Sequence, residues 1–318
     1  MLTDKLRIFS GSSNPLLAER ICRELGRPLG KIKLSRFKSG EVYVHYEETI
    51  RNCDVFLVQS FSHPVNEHFV ELLVMVDAAK RASARTINVV VPYYGYARQE
   101  RKAAPREPIS AKMVADVLTT VGAHRVITID LHAPAIQGFF NIPVDHLTAL
   151  DLMCDYLKMK NIRNPVVVSP DAGRASTAEK LANNSYLDSP FAIMIKKRPS
   201  HNESVIIHVI GDVEGQTPII IEDLIDTGST IVNVVEALKE RGAEDAYVCA
   251  THAVFSGPAM ERLNHPNIKE VVVTDSIALP EDRPEKIKVL SIAHLLSDAI
   301  RIIVEGGSIS TLFKNAGV

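Results

Sequence analysis

Three carboxylates stand close together in the second half of the chain, next to a turn of small hydroxyl residues. Glu222 and Asp223 follow the apolar run 218–221, and Asp226 precedes the Thr-Gly-Ser-Thr turn 227–230. Apolar residues at helical spacing come next, so the pattern predicts a buried strand, a tight loop and a helix start. A helix N-terminus suits a phosphate, and carboxylates can accept ribose hydroxyls or hold Mg²⁺ through its waters. The plainer alternative is an ordinary helix cap beside solvated charges.

Four further clusters could do chemistry, and each has a plainer structural interpretation. Asp130 and His132 follow an apolar run two residues apart, so we expect them on one side of a strand, as a magnesium site or as a strand end. Asp171 stabilises a turn or contacts a metal or ribose. The cation-rich segment 98–102 is a solvated face or a triphosphate clamp. The segment 196–198, Lys-Lys-Arg, is part of a hairpin turn or of a mobile basic flap.

The elements that must position these clusters alternate between apolar strands and amphipathic helices. This alternation predicts an α/β fold with mostly parallel sheets flanked by helices. The sequence also repeats itself at an offset of about 150 residues, where 54–59 corresponds to 219–223 and 126–130 to 271–275. We therefore expect two tandem domains, 1–147 and 148–318. In such sheets ligands bind beyond the carboxyl ends of the strands, where each of the clusters falls.

Composition narrows the class of protein. The chain has 318 residues, of which 46% are hydrophobic and 23% charged, and its net charge is −2. This balance gives no reason to expect nucleic-acid binding. No apolar run of about 18 residues indicates a membrane span. The four cysteines are scattered without metal spacing, so we expect small core residues in a reducing compartment, and a cytoplasmic protein.

The segment 218–230 resembles the phosphoribosyl pyrophosphate-binding signature of the phosphoribosyltransferase fold. It has four apolar residues, an acidic residue and Asp, two apolar residues, and a loop rich in hydroxyls and glycine. Along essentially its whole length the chain is similar to the ribose-phosphate pyrophosphokinase (phosphoribosyl pyrophosphate synthetase) family. The further segments that carry this resemblance are 8–12, 108–112, 136–140, 142–147, 256–259 and 308–313.

The resemblance implies two phosphoribosyltransferase-type domains and a transferase that moves the pyrophosphoryl group of ATP to the C1 hydroxyl of ribose 5-phosphate. It also implies Mg²⁺ as cofactor, a homo-hexamer built from dimers, and phosphate and ADP as effectors. The implied ATP-binding residues are Phe37, Ser39, Gly40, Glu41, Arg98 and Gln99. The implied metal ligands are His132 and Asp171, with Asp130 beside them, and the implied catalytic residues are Lys196 and Arg198. The implied ribose-5-phosphate site comprises Arg198, Glu222, Asp223, Asp226, Thr227, Gly228, Ser229 and Thr230.

Several site positions depart from the family pattern, which suggests a diverged paralogue. The departures are Ser39, Glu100, Asn141, Arg174, Thr177, Glu222 and the pair Gly228-Ser229. One alternative is therefore a weakly active or inactive regulatory subunit of a mixed oligomer, in which Arg174 pairs with Asp171 and Ser229 disturbs the loop. Another alternative is an ordinary phosphoribosyltransferase, which shares the loop but lacks the duplicated domain.

Overall fold

A computed structural model describes residues 4–183, 187–197 and 206–312 of the chain. Its strands, in chain order, are β1 (Leu6–Ser10), β2 (Ile32–Arg36), β3 (Val42–Tyr46), β4 (Asp54–Val58), β5 (Thr86–Val90), β6 (Arg125–Ile129), β7 (Val144–Leu147), β8 (Pro165–Ser169), β9 (Phe191–Lys197), β10 (Ile206–Ile210), β11 (Thr217–Ile225), β12 (Ala246–Ala253), β13 (Ile268–Thr274) and β14 (Ile287–Leu290). Its α-helices are α1 (Pro15–Glu24), α2 (Val65–Arg81), α3 (Ser110–Val121), α4 (Leu150–Met159), α5 (Ala175–Ala182), α6 (Ser229–Lys239), α7 (Ala259–Leu263) and α8 (Ala293–Glu305).

The chain folds into two compact units. The first contains residues 4–148, 276–278 and 291–312, and the second contains the other described residues. The predicted boundary at 147/148 therefore lies beside the observed change of unit at 148/149. The predicted second domain, 148–318, differs from the second unit because α8 and the residues 276–278 group with the first unit.

The first unit contains a five-stranded sheet in the order β1-β4-β5-β6-β7, in which every neighbouring pair is parallel. The strands are short and almost wholly buried, as expected when helices cover both faces of a sheet. β2 and β3 form a separate antiparallel hairpin. Its residues alternate between half-buried and exposed, and its half-buried side packs against the core of the unit.

The second unit contains a seven-stranded sheet in the order β10-β9-β8-β11-β12-β13-β14. All neighbours are parallel except β9 and β10, which pair antiparallel at one edge. β11 lies at the centre, between β8 and β12, because its apolar start is buried on both faces. The carboxyl ends of β8 and β11 therefore lie side by side, and this edge carries the candidate site.

The prediction of an α/β fold with mostly parallel sheets flanked by helices is confirmed. The prediction of four cysteines as core residues is also confirmed, because all four thiols are free and buried. Among the described strands and α-helices, sequence reasoning missed β2, β7 and α7. Each is short, at four or five residues, too short for a periodic pattern to stand out.

Candidate functional site

The central strand of the second unit carries two of the predicted acidic residues within its length. The strand predicted from the apolar run 218–221 is present, and β11 continues beyond it to Ile225, pairing with β12 through Glu222 and Leu224. Asp223 is buried, and Glu222 is partly buried. Both carboxylates are therefore fixed to the sheet rather than solvated on a loop, which makes the interpretation as free loop charges wrong.

A guanidinium lies against both carboxylates. Arg174 Nη2 is 2.7 Å from Asp223 Oδ2, and Arg174 Nε is 3.8 Å from Glu222 Oε2. The three side chains are only 6–14% exposed. The alternative interpretation paired Arg174 with Asp171, but the ion pairs observed for it are with Glu222 and Asp223. The reason is that Arg174 follows β8, the direct neighbour of β11 in the sheet.

Asp171 has a local structural role in the turn after β8. It is the N-cap of a short 3₁₀ helix, Ala172–Arg174, and its Oδ1 accepts a hydrogen bond of 2.9 Å from the backbone N–H of Gly173. Its backbone carbonyl accepts a bond of 2.6 Å from Ser169 Oγ. Asp171 thereby fixes the turn that leads to Arg174. This agrees with the prediction that Asp171 stabilises a turn.

The hydroxyl-rich loop 226–230 joins β11 to α6. Gly228 is the N-cap of α6 and has a left-handed backbone with φ of +74°, and Ser229 is the first residue of the helix. No side chain caps α6 by a hydrogen bond, so the interpretation of Ser229 or Thr230 as a simple N-cap is wrong. The first N–H groups of a helix have no intrahelical partner, so this loop offers backbone donors to an anion.

Two contacts that were not predicted from the sequence stabilise the loop. Arg262, in α7, donates a hydrogen bond of 2.9 Å from Nη1 to the carbonyl of Thr227. Within the loop, the hydroxyls of Thr227 and Ser229 lie 3.1 Å apart and share a hydrogen bond. Because α7 was not predicted, no sequence signal pointed to Arg262. Both contacts hold the backbone of the expected phosphate loop in place.

The predicted basic flap belongs to the edge of the same sheet. β9 ends at Lys197 and pairs antiparallel with β10, with Lys197 opposite Ile206. Lys196 lies on the backbone of β9, opposite Ile207, and Arg198 lies outside the described residues. Lys196 and Lys197 therefore belong to a strand, and the choice between a hairpin turn and a mobile flap concerns residues 198–205, which lie outside the described part of the chain.

In the first unit, Asp130 and His132 follow β6. We predicted that both lie on one side of a strand, but β6 ends at Ile129 and Asp130 has a left-handed backbone with φ of +39°. The strand alternation therefore does not apply to this pair, and that prediction is wrong. The backbone N–H of Leu131 donates 2.8 Å to His146 Nε2, and Asp130 N–H donates 2.9 Å to the Leu147 carbonyl. This turn is thus held against β7.

Four of the predicted ATP-binding residues form the tip of the β2–β3 hairpin. The Phe37 N–H donates 2.9 Å to the Glu41 carbonyl, and Gly40 turns the chain with φ of +94°. The Ser39 hydroxyl hydrogen-bonds the Glu41 carboxylate. Phe37 is 56% exposed and touches the ring of Tyr43 edge-on. An exposed aromatic ring on a tight turn is a suitable surface for stacking a nucleobase.

The other two predicted ATP-binding residues lie in the loop before α3. Arg98 and Gln99 are both exposed. Gln99 Oε1 accepts a hydrogen bond of 2.6 Å from Ser110 Oγ, and the Ala111 N–H donates 3.3 Å to the Gln99 carbonyl. Ser110 is the first residue of α3. Its hydroxyl anchors Gln99 and thereby the cation-rich loop.

A buried polar network at the carboxyl ends of β1 and β4 was not predicted as part of any site. The Glu71 carboxylate is buried and accepts hydrogen bonds from the Ser12 N–H (2.7 Å), the Ser12 hydroxyl (2.8 Å) and Gln59 Nε2 (2.7 Å). Gln59 Oε1 accepts in turn from the Ser13 N–H at 3.0 Å. The available signal was an acidic residue on the apolar face of α2, between the buried residues His68 and Leu72.

Among the described residues, no group of three or more His, Cys, Asp or Glu side chains is arranged to hold a metal ion. Asp130 and His132 belong to the first unit and Asp171 to the second. The part of the chain that the structure describes also contains no helix long and apolar enough to cross a membrane.

Comparison with known proteins accounts for both units. Residues 6–122 match the N-terminal domain of ribose phosphate pyrophosphokinase, and residues 168–314 match the phosphoribosyl synthetase-associated domain. Ribose-phosphate pyrophosphokinases from Bacillus cereus and Fusobacterium nucleatum are 53% and 54% identical over 314 residues, which cover 98% of this chain and 98–99% of theirs.

A solved structure agrees with these relatives. The crystal structure of phosphoribosylpyrophosphate synthetase from Mycobacterium smegmatis superposes with a TM-score of 0.90 at 43% identity, and the match covers 96% of this chain and 100% of that one. Sequence identity and structural similarity of this extent show that the chain belongs to the ribose-phosphate pyrophosphokinase family.

Proposed function

We propose that the chain transfers the β,γ-pyrophosphoryl group of ATP to the C1 hydroxyl of ribose 5-phosphate, giving phosphoribosyl pyrophosphate and AMP. The observation that carries this proposal is the extent of the match, 51–54% identity along 97–98% of the chain to relatives that bear this enzyme's name. In the reaction the hydroxyl oxygen attacks the β-phosphorus, the bond from that phosphorus to the α,β-bridging oxygen breaks, and the hydroxyl proton is lost.

The second unit offers the acceptor site. The loop 226–230 would bind the 5-phosphate through the backbone donors at the start of α6. Asp223 and Glu222, at the carboxyl end of the central strand, would accept hydrogen bonds from ribose hydroxyls. A carboxylate already fixed to a sheet loses little conformational entropy when it binds a ligand. We therefore expect these carboxylates to contribute mainly by orienting the sugar, rather than by their charge alone.

The first unit offers groups for the nucleotide. Phe37, exposed at the hairpin tip, would stack on the adenine, and Arg98 would contact the phosphates.

Lys196 and Arg198, by family resemblance, would stabilise the charge that develops on the transferring group. Such positioning and electrostatic stabilisation dominate phosphoryl-type transfers.

Mg²⁺ fits this chemistry with few protein ligands. The ion is commonly held by one or two carboxylates together with substrate phosphates and waters, so the lack of a three-ligand cluster among the described residues agrees with an ion that arrives with ATP. Asp130 and His132 are the candidate ligands in the first unit, and Asp171 is the candidate in the second. When bound, the ion neutralises charge on the triphosphate.

The activity can be tested with purified protein, ATP, Mg²⁺ and ribose 5-phosphate. We expect AMP to appear only when ribose 5-phosphate is present, and Lys196→Ala or Asp226→Asn to lower the rate on the order of 10²–10³-fold, the usual effect of losing one stabilising group. AMP formed at an equal rate without ribose 5-phosphate, or by the Lys196→Ala variant, would contradict the proposal.

The quaternary structure and regulation proposed from the family are a homo-hexamer of cytoplasmic location that responds to phosphate and ADP. Light scattering on the purified chain measures the mass directly, and a mass of one or two chains would contradict the hexamer. Rates of AMP formation at increasing phosphate and ADP concentrations test the effectors in the same assay.

A further inference from the structure

Arg174 occupies a position whose role does not follow from the match to known enzymes. Its guanidinium lies between two carboxylates of β11 and is itself only 14% exposed. The shorter contact, 2.7 Å from Nη2 to Asp223 Oδ2, has the length of a strong charge-assisted hydrogen bond. The longer contact, 3.8 Å to Glu222, is electrostatic only. Asp223 is thus the principal partner.

Two neighbouring acidic side chains that are 6% and 12% exposed repel each other unless a cation lies beside them. Arg174 supplies this cation from the neighbouring strand connection. A guanidinium is planar and donates in fixed directions, unlike a lysine ammonium, which is a point charge on a flexible stem. The contact therefore sets the orientation of the Asp223 carboxylate as well as offsetting its charge.

Arg174 is itself held in place by local structure. It ends the 3₁₀ helix that Asp171 caps, and it is the N-cap residue of α5. Its neighbour Gly173 is tied to Asp171 through the 2.9 Å hydrogen bond. The guanidinium thus reaches β11 from a turn that is fixed by this hydrogen bond. Its partner Asp223 lies three residues before Asp226, where the loop begins.

We propose that Arg174 is a positioning residue for ribose 5-phosphate, which holds the Asp223 carboxylate in the orientation that accepts the sugar hydroxyls. The inference rests on the proposed function, because it takes Asp223 as a ribose contact. It gives Arg174 a supporting role, opposite to the regulatory alternative in which this residue blocks the site.

The test compares four forms of the full chain: unmodified, Arg174→Gln, Arg174→Lys, and Arg174→Gly combined with Thr177→Arg. Thr177 lies one helical turn after Arg174 and on the same side of α5, so the double variant returns a guanidinium from a neighbouring position. Titration calorimetry with ribose 5-phosphate gives the affinity, and AMP formation gives KM for each substrate. Lys239→Ala, which removes an exposed ion pair with Asp245 in the same unit, is the matched control.

We expect Arg174→Gln to weaken ribose 5-phosphate binding on the order of tenfold to a hundredfold, as for loss of a hydrogen bond to a charged group. KM for ATP should not change. Arg174→Lys and the double variant should recover part of the affinity, and Lys239→Ala should match the unmodified chain. A purely structural role would instead lower the urea midpoint without separating the two KM values.

Each other outcome is decisive. If Arg174→Gln binds ribose 5-phosphate as tightly as the unmodified chain, or more tightly, the inference is overturned while the proposed function stands. If the unmodified chain binds ribose 5-phosphate but makes no AMP, the proposed function fails and the calorimetry still decides the inference. If the unmodified chain does not bind ribose 5-phosphate, both fail. Should Arg174→Gln unfold, the comparison of Arg174→Lys with the unmodified chain decides.

Discussion

Because Gly228 has a left-handed backbone, we expect substitutions at Gly228 and at its neighbour Ser229 to have different effects. Gly228 has φ of +74°, and a Cβ there would meet its nearest atom only at 3.5 Å. We expect Gly228→Ala to destabilise the loop by about 1–2 kcal/mol through backbone strain alone, since the added methyl group would meet Ala259 and Arg262 only at ordinary van der Waals distance. Ribose 5-phosphate affinity, measured by calorimetry, should fall because the backbone donors move.

Ser229→Gly is the matched comparison. Ser229 is already helical, so we expect a smaller loss of ligand affinity than for Gly228→Ala, caused by loss of its hydrogen bond with Thr227, and a cost of at most about 1 kcal/mol in helix stability. The prediction that Ser229 itself disturbs the loop is at odds with this geometry, because the residue that needs a left-handed conformation is a glycine. Equal loss of affinity in both variants would contradict this account.

Glu71 is the second residue with a testable consequence. Its buried carboxylate accepts from Ser12 and Gln59, so Glu71→Ala leaves several buried donors unpaired. We expect a loss on the order of 2–4 kcal/mol in the free energy of unfolding, measured by urea denaturation. Glu67→Ala, on the same helix but exposed and paired only with Arg36, should cost less than about 1 kcal/mol. Similar costs for the two variants would show that the network is weakly coupled.

At the scale of elements, β4 and β5 are joined at their amino ends by an ion pair that should make stability depend on pH. Burial raises the pKa of the Asp54 carboxyl, but hydrogen bonds from Arg85 and Thr86 and the Arg85 charge outweigh it, so the pKa lies below its usual range. A lowered folded-state pKa stabilises the fold above the unfolded value, about 3.9, and this contribution is lost as the pH falls through the folded value.

We therefore expect Arg85→Ala to lower the urea midpoint clearly at pH 7, and by progressively less as the pH falls below about 3.9, the unfolded-state pKa. Below the folded-state pKa the carboxyl is protonated with or without its partner, so the two proteins converge. Arg81→Ala removes an exposed i,i+4 pair with Asp77 and provides the control, with a small effect throughout this pH range. A constant difference between Arg85→Ala and the unmodified chain across this range would argue against the linkage.

Elements in which apolar residues form a continuous run or recur at a regular spacing could be predicted from the sequence. Elements without such a pattern could not. β4 and the start of β11 are continuous apolar runs, and α2 has a clear apolar face, so burial itself leaves a pattern. β2 has a pattern of half-buried and exposed residues that resembles a loop. The hairpin exists because β3 pairs with it and because Tyr46 Oη donates 2.8 Å to the Met75 carbonyl in α2, which are tertiary contacts.

The candidate site divides in the same way. The acidic strand end and the hydroxyl loop could be predicted because strand, loop and helix are contiguous in the sequence. The partner of Arg174 could not, since it depends on β8 lying next to β11, a choice made by the sheet order. Sequence reasoning chose the nearest carboxylate, Asp171, whereas the sheet brings residues 48 and 49 positions away into contact.

At the scale of the whole molecule, α8 completes a unit whose other elements are more than 140 residues earlier. Leu296 and Ile300 are fully buried, α8 packs against α1, and Arg301 Nη2 reaches the Glu24 carbonyl at 3.4 Å. Loss of each such apolar side chain costs about 2–5 kcal/mol, so removing the helix approaches the whole stability of a domain, roughly 5–15 kcal/mol.

Truncation after Leu290 should therefore unfold the first unit and leave the second folded. Hydrogen exchange followed by mass spectrometry would show rapid exchange in β1 and β4 and continued protection in β11 and β12. Leu296→Ala should give a milder loss that is confined to the first unit. Uniform protection of β1 in the truncated chain would show that α8 is dispensable.

The late position of α8 also sets the order in which a ribosome can finish the two units. Residues enter the growing chain one after another, and domains commonly fold during synthesis as their last segment emerges. The second unit needs residues up to 290, whereas the first waits for 291–312. The unit whose sheet is translated first thus completes its fold after the unit that follows it, because α8 is missing until residues 291–312 have been made.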